Sequence, residues 1–458
     1  MVDQNTVNAA LVIGGGIAGQ RAALDIAEAG YPVYLIERGP SLGGIVAQLG
    51  FMFPTHDCVL CRGGHDHGYG CTRPAISPAF HENSRHPNIT VLTSAEIISI
   101  DGEAGRFEVG VRQRPQYVDP ARCINCNKCA EVCPIEIPSS YHEGLGKRRL
   151  IDKNAYRAIP DAYNLWEKQP YCETCRKCEP ACPTKAVNLD ASASQCTLKV
   201  GAIVLSSGYK LFDPNEYEEY GHGRFPNVLT SLEFERLISN NGPTHGHLIC
   251  PSNGKPPKRI AWLQCIGSRD ESHPWCSAIC CMHAIKEAIL TKERAGKDIQ
   301  CDIFLMDQRT FNKANHAYYE RSRQQYGIQY IRSRISGLRE DLTTRQIYLR
   351  YQDEADKFQE EPYDMVVLSV GVQPPAQSAE IAQLLGVNLD EAGFCHTATT
   401  TPTRTNRAGV FAAGAVTAPR EMAESFIEAS AAANAVIELL AMQAQPKVPA
   451  QLQPSLPE

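Results

Sequence analysis

Short continuous apolar runs, each followed by glycine and then by residues of helical spacing, recur along this chain. In residues 10–39 (ALVIGGGIAGQRAALDIAEAGYPVYLIERG) a strand ends at Val12 and Ile13 and residues 20–28 read as helix. A second strand, Val33 to Ile36, then closes a βαβ unit. Residues 201–209 (GAIVLSSGY) and 364–374 (DMVVLSVGVQP) again set an apolar strand before a glycine turn. Residues 409–440 give a strand, Gly414 and a long alanine-rich helix from about Glu421. Another βαβ unit is predicted from a strand at 259–264, a helix at about 277–293 and a strand at 301–308. Its turn, CIGSRDESHPWCSAICC, carries a lone Gly267 and four thiols: Cys265, Cys276, Cys280 and Cys281.

The first unit has every part of a dinucleotide-binding fingerprint. Gly14 permits the tight turn, Gly16 lets the backbone approach a pyrophosphate, and Gly19 lets helix and strand pack closely. Glu37, 18 residues after Gly19, can accept a hydrogen bond from an adenosine ribose. Gly44, Gly208 and Gly414 are further candidate cofactor contacts. The thiol-bearing turn lacks G-x-G-x-x-G, so it offers no such approach to a nicotinamide pyrophosphate.

Nineteen cysteines in 458 residues change the picture. They fall in tight local runs, which suits metal binding in a reducing compartment better than a disulfide scaffold. CINCNKCAEVCP supplies Cys123, Cys126, Cys129 and Cys133; CETCRKCEPACP supplies Cys172, Cys175, Cys178 and Cys182. Both are the bacterial ferredoxin spacing, in which the fourth cysteine ligates the other cluster. Cys182 is therefore expected with the first trio and Cys133 with the second, each set holding one 4Fe–4S cluster. Cys265, Cys276, Cys280 and Cys281 suit a third cluster, with buried structural cysteines as the rival reading. For Cys58, Cys61 and Cys71, beside His56, His65 and His67, three readings compete: a further cluster, a Cys58–Cys61 redox dithiol near the bound dinucleotide, or a structural or partner-facing loop. Cys196, Cys250, Cys301 and Cys395 read as packed small side chains, and the charged run 353–362 as a solvated loop. A net charge of −6 gives no basic field for nucleic acid. With no run of 18 apolar residues and no signal-peptide pattern, a cytoplasmic protein without direct membrane insertion is expected, any membrane association coming through a partner.

The layout resembles flavoproteins of the thioredoxin reductase type. That implies an α/β fold with two Rossmann-like dinucleotide-binding domains, FAD on the first fingerprint, and a return to the flavin at Gly414. Ala415 stands where that family carries an aspartate on the flavin chain. Into this frame the two-cluster ferredoxin domain is inserted. The expected division is 1–110 for the first part of the FAD-binding domain, 111–197 for the insertion and 198–250 for a connection. It continues with 251–375 for a second dinucleotide-type domain repurposed for a cluster, 376–445 for the last part of the FAD-binding domain, and 446–458 for a disordered tail.

The segments WLQCIGSRD, WCSAICCMHAIKEA, FPTHDCVLC, HPNITVLTSAEI, FPNVLTSLEFERL and FLMDQRTF closely resemble the HdrA-like family of heterodisulfide reductase subunits. The resemblance implies an FAD and iron–sulfur electron-transfer subunit of an anaerobic complex, some members of which bifurcate electrons. Its partners would be HdrB- or HdrC-like subunits, hydrogenase or formate dehydrogenase modules, ferredoxin, or a quinone-interacting subunit. The resemblance also supports a cluster on Cys265 to Cys281. The chain opens directly on the FAD fingerprint, without the preceding cluster domain of long members, so a relay is expected more than a full bifurcating circuit. The competing function is a stand-alone NAD(P)H-dependent disulfide or polysulfide reductase, suggested by the flavoprotein layout and Cys58-x2-Cys61.

Overall fold

The computed structural model of the chain describes residues 7–54, 56, 86–153, 159–166 and 168–444. Two five-stranded parallel sheets organise it. The first has the order Val410–Ala412, Ala202–Leu205, Ala10–Ile13, Val33–Ile36, Ile89–Leu92. Its central strand is almost wholly buried because helices or a second sheet cover both faces, which is why the sequence there is apolar without alternation. Helices Ile17–Glu28 and Met422–Ala444 lie together on one face. Ala22, Ala23 and Ala27 meet Ala429, Ala432, Ala433 and Val436, all buried, and small side chains let the two axes approach closely. Helix Met422–Ala444 is long and apolar enough to cross a membrane by length and composition, yet here it forms part of this core.

The other face carries an antiparallel sheet of Ala95–Glu103, Arg106–Gln113 and Ser194–Val200. Gln113 pairs with Ser194, so the chain leaves and re-enters the sheet at neighbouring points. An insertion between such close ends leaves the host sheet undisturbed. The inserted segment has its own core of Val118, Ala130, Leu150, Ile151, Leu165, Val187 and Leu189.

The second sheet runs Val228–Thr230, Met365–Val370, Arg259–Ile266, Gln300–Leu305, Gln329–Arg332, again all parallel. The helix after its central strand begins at Cys280, three residues later than the spacing predicts. Ala278 has φ +63°, a left-handed conformation that no right-handed helix accommodates. The strand expected at 301–308 ends at Leu305. Residues 353–362 are a tight turn and a strand, not a loop: Asp353 accepts from the N–H groups of Ala355 and Lys357, and Phe358–Tyr363 pairs with Ile347–Gln352. Cys250, Cys301 and Cys395 are buried, whereas Cys196 is exposed on the outer strand of the antiparallel sheet, against the expectation of a packed side chain.

Trp262 is the largest fully buried side chain, packed edge-on against Phe234, with its indole N–H donating to Glu287 at 2.8 Å. Trp262→Ala should destabilise the second sheet by about 3–5 kcal/mol, the cost of a large core truncation. A fall in the urea midpoint of intrinsic fluorescence and circular dichroism would show it; an unchanged midpoint would mean that this core does not limit stability.

Candidate flavin and iron–sulfur sites

A cleft of about 250 Å³ opens over the carboxyl ends of the first sheet. Gly14, Gly16, Glu37, Gly44 and Gly208 line it; Gly19 and Gly414 do not, Gly19 packing on the Gly14 carbonyl and Gly414 beside Ala18. The glycines differ in what they permit. Gly14 has φ +108°, and a Cβ on Gly19 would lie 1.8 Å from the Gly14 carbonyl, so only glycine lets helix and strand pack there. A Cβ on Gly16 would meet no described atom within 4 Å; it would project into open space. Gly16 is also the N-cap of helix Ile17–Glu28 and lacks a side-chain cap, which leaves free amides of the kind that bind phosphate. The Glu37 carboxylate accepts from the N–H groups of Gly15 at 2.8 Å and Gly39 at 2.6 Å, which fixes it at the strand's end. This donor set fits a dinucleotide: an open glycine at the helix start, a held acid one strand away, and an apolar far end.

Gly414 has φ +78° and donates its N–H to Glu428 at 3.0 Å; Arg420 grips the same carboxylate at 2.6 Å. Ala415 and Arg420 both line the cleft, so a cation stands near the position from which the aspartate is missing. Sequence reasoning passes over Arg420; its signal is a lone arginine just before a long helix. The far wall belongs to the second sheet's helices, through Leu232, Ile279, Cys280 and His283.

In the insertion, the two cysteine runs exchange partners. Cys123, Cys126, Cys129 and Cys182 surround one small cavity; Cys133, Cys172, Cys175 and Cys178 surround another. Burial pushes the Cys129 thiol up to about 12 and Cys178 up to about 11. Burial also opposes the Cys182 thiolate, but the Thr184 hydroxyl and the amides of Val187, Ala186 and Thr184 outweigh it and lower that thiol. The Ala186 amide lies 3.2 Å from its sulfur. No three thiols among the described residues converge within 4.8 Å. Tetrahedral zinc, with Zn–S bonds of about 2.3 Å, would need closer convergence, whereas a four-iron cubane holds its thiolates on separate irons.

The four-thiol turn is built on unusual backbone. The central strand's register shifts between Leu263 and Ile266, and Cys265, Arg269 and Ala278 all have left-handed φ, at +62°, +59° and +63°. Such conformations cost about 1–3 kcal/mol each and persist only where the surroundings impose them. The result sets Cys280 beside both Cys265 and Cys281, and these neighbours together with burial push its thiol well above the ordinary range. Hydrogen bonding from Cys280, with Arg269 beside it, lowers the Cys265 thiol to about 7. Cys276 is half-buried on the same turn, its sulfur 3.4 Å from the Ala278 amide. Asp307, just past the second strand where a ribose-binding acid would stand, is taken by Arg269 and Arg309. A Cβ on Gly267 would meet the Phe212 ring at 2.2 Å. Gly267 thus serves packing.

A buried polar group joins this turn to the cleft. Glu235, Lys286 and Glu287 are fully buried, and His283 lies 3.3 Å from Glu287 and 3.6 Å from Glu235. Lys286 pairs with Glu235 at 2.6 Å and donates to the Phe51 carbonyl at 3.0 Å, while Glu235 accepts from the Gly50 N–H. Burial opposes the Glu235 charge, but Lys286 and His283 hold its carboxyl down to about 2; burial and the Glu235 charge push Glu287 well up. In sequence these residues look like an ordinary helix face. Cys58, Cys61, Cys71, His65 and His67 lie outside the described residues. His56 is described: it bonds the Tyr318 hydroxyl and lies 3.4 Å from Glu293.

Comparison with known proteins accords with this geometry. Family models match at 9–52 (FAD binding domain), 115–183 (4Fe-4S dicluster domain) and 294–435 (pyridine nucleotide-disulphide oxidoreductase). The last begins beyond the four-thiol turn. A thioredoxin reductase of Lactococcus lactis shares the fold at a TM-score of 0.50 and 14% identity, over 95% of this chain and 100% of that one. The second A-type iron-sulfur subunit of the CoB–CoM heterodisulfide reductase of Methanopyrus kandleri is 42% identical over 437 residues, 94% of this chain and 64% of that protein. The A-type subunit of the H(2):CoB-CoM heterodisulfide,ferredoxin reductase of Methanothermobacter thermautotrophicus is 38% identical over 439 residues, again 94% and 64%. The chain thus spans a little under two thirds of these relatives' length. Over that shared length it is similar to the A-type subunits of heterodisulfide reductases, and its own family matches include an FAD-binding domain and a 4Fe–4S dicluster domain.

Proposed function

We propose that this chain is an electron-relay subunit of a heterodisulfide-reductase-like complex, with FAD in the glycine-lined cleft and three 4Fe–4S clusters. Cys123, Cys126, Cys129 and Cys182 would hold one cluster and Cys133, Cys172, Cys175 and Cys178 another. Cys265, Cys276, Cys280 and Cys281 would hold the third. When bound, FAD interconverts paired and single electrons, and the clusters carry electrons singly. The protein's own part is placement. The helix start at Gly16 would hold the pyrophosphate and Glu37 the ribose, while Ala415 and Arg420 would line the cleft beside the cofactor. Cys280 lies in the cleft wall itself, so the third thiol group borders the flavin position.

One observation carries the reading: two exchanged thiol sets and a dinucleotide cleft share one compact body, and a further thiol group lies in the cleft wall. The names of the relatives, which include ferredoxin and CoB–CoM heterodisulfide, support partners of that class: a low-potential donor module and a catalytic component. We place the chain in the cytoplasm. A nicotinamide-dependent disulfide reductase is the poorer reading, since Asp307 is paired with Arg269 and the Phe212 ring packs against Gly267 in the turn.

Anaerobically purified protein should contain about twelve irons and one FAD, four irons for each cubane. Cys133→Ser and Cys276→Ser should each lose about four irons and remove different signals from the EPR spectrum of the reduced protein. An iron count near eight, unchanged by Cys276→Ser, would remove the third cluster. Gly16→Val should abolish FAD binding yet keep the iron and the thermal midpoint of FAD-free wild type, because its side chain meets only open space. Retained FAD would place the flavin elsewhere. Neither NADH nor NADPH should bleach the flavin; catalytic bleaching would revive the reductase reading.

A further inference from the structure

Arg236 sits where three parts of the molecule meet, and it is fully buried. It belongs to helix Ser231–Ile238, which packs on the second sheet. Its Nε donates to His142 Nδ1 at 3.3 Å and its Nη2 to Asn241 Oδ1 at 2.9 Å. Its Nη1 donates to Ser239 Oγ at 3.3 Å and to the Gln48 carbonyl. The Tyr141 ring lies 4.6 Å from the guanidinium carbon. Gln48 belongs to the 3-10 turn Gly44–Gln48 of the flavin cleft wall. Tyr141 and His142 belong to the insertion's hairpin, between strands Glu136–Pro138 and Lys147–Arg149, and Cys133 lies three residues before the first of these.

The bonds around the arginine close the circle without it. The Tyr141 hydroxyl donates to the Ala47 carbonyl at 2.8 Å, and the Gln48 amide donates to the Tyr141 carbonyl at 3.2 Å and to the Glu143 carboxylate. The acceptors of Arg236 are all neutral. A cation buried among neutral acceptors is expensive and is tolerated only when its donors are satisfied together. A planar guanidinium can direct bonds to four acceptors and stack on a ring at once; an ammonium cannot. Burial and the nearby Arg236 charge hold His142 down to about 4, so its ring stays neutral and able to accept.

We propose that Arg236 is a positioning residue for electron passage between the insertion and the flavin. Its one guanidinium fixes the cleft wall at 44–49, the hairpin at 136–149 and the helix at 231–238 in a single arrangement. This rests on the relay reading above. Electron passage through protein weakens steeply with separation, and the hairpin leads directly from Cys133. Any slack at this junction therefore lengthens or varies the path from the clusters to the flavin.

The test uses the whole chain, purified anaerobically, as wild type, Arg236→Lys, Arg236→Gln and Tyr141→Phe, with iron and FAD counted in each. Reduced methyl viologen is the donor, at concentrations where the flavin phase no longer depends on it. Stopped-flow absorbance then follows cluster bleaching and flavin bleaching separately. In Arg236→Lys, with iron and FAD retained, cluster bleaching should match wild type and the flavin phase should slow by about tenfold, within the range caused by a misplacement of about 1 Å. Amide hydrogen exchange at 44–51 and 139–146 should rise together. Tyr141→Phe should slow the flavin phase less, and it carries the test if Arg236→Gln loses its fold. An unchanged flavin phase in Arg236→Lys and Tyr141→Phe, at full cofactor content, would overturn the proposal. If the wild-type clusters bleach and the flavin never follows, the relay reading itself fails, a result distinct from equal rates across the variants.

Discussion

Neither ferredoxin-type run surrounds a cavity with its own four thiols. The trio Cys123, Cys126 and Cys129 is completed by Cys182, and the trio Cys172, Cys175 and Cys178 by Cys133. This exchange obliges residues 115–151 and 163–190 to fold as one body around Val118, Leu150, Ile151, Leu165 and Val187. The hairpin that spans the interval, Glu136–Pro138 with Lys147–Arg149, is then carried to the flavin cleft. There the Tyr141 hydroxyl reaches the Ala47 carbonyl, so the arrangement of thiols and the placement of the cleft wall belong to one construction.

The two parallel sheets answer the same topological problem in different chemistry. At the first switch point, Gly16 leaves open space before a helix start, as a pyrophosphate requires. At the second, the turn is filled: Phe212 closes over Gly267, Arg269 takes Asp307, and left-handed Cys265 and Ala278 shape a turn on which Cys280 has Cys265 and Cys281 as neighbours. The helix after that turn still points its first residues at the flavin cleft, through Ile279, Cys280 and His283. A position that in a nucleotide-binding unit faces a phosphate here presents a thiol to the cleft.

Much of this is legible in the sequence because it rests on local rules. Unbroken apolar strands, the glycine spacing at Gly14, Gly16 and Gly19, and the fixed ferredoxin run each encode a short-range geometry, and the fold class follows from their order. The rest depends on tertiary neighbours. Ala278 carries no sign of its left-handed backbone, so the spacing puts the helix start three residues early. Glu235, Lys286 and Glu287 read as a solvated helix face until the cleft loop is laid across them. Asp353 holds its turn through backbone amides, which composition alone presents as a charged loop. Arg236 resembles any arginine of an amphipathic helix; its burial follows from the insertion and the cleft wall converging on it, and neither event is local.

The central claim is that the three thiol groups are iron–sulfur sites arranged around one flavin. Anomalous diffraction at the iron edge from crystals grown anaerobically tests it directly. The account predicts three separate iron peaks: inside the ring of Cys123, Cys126, Cys129 and Cys182, inside that of Cys133, Cys172, Cys175 and Cys178, and at the turn from Cys265 to Cys281 beside the flavin cleft. Iron confined to the insertion, with ordered free thiols at Cys265, Cys276, Cys280 and Cys281, would contradict it.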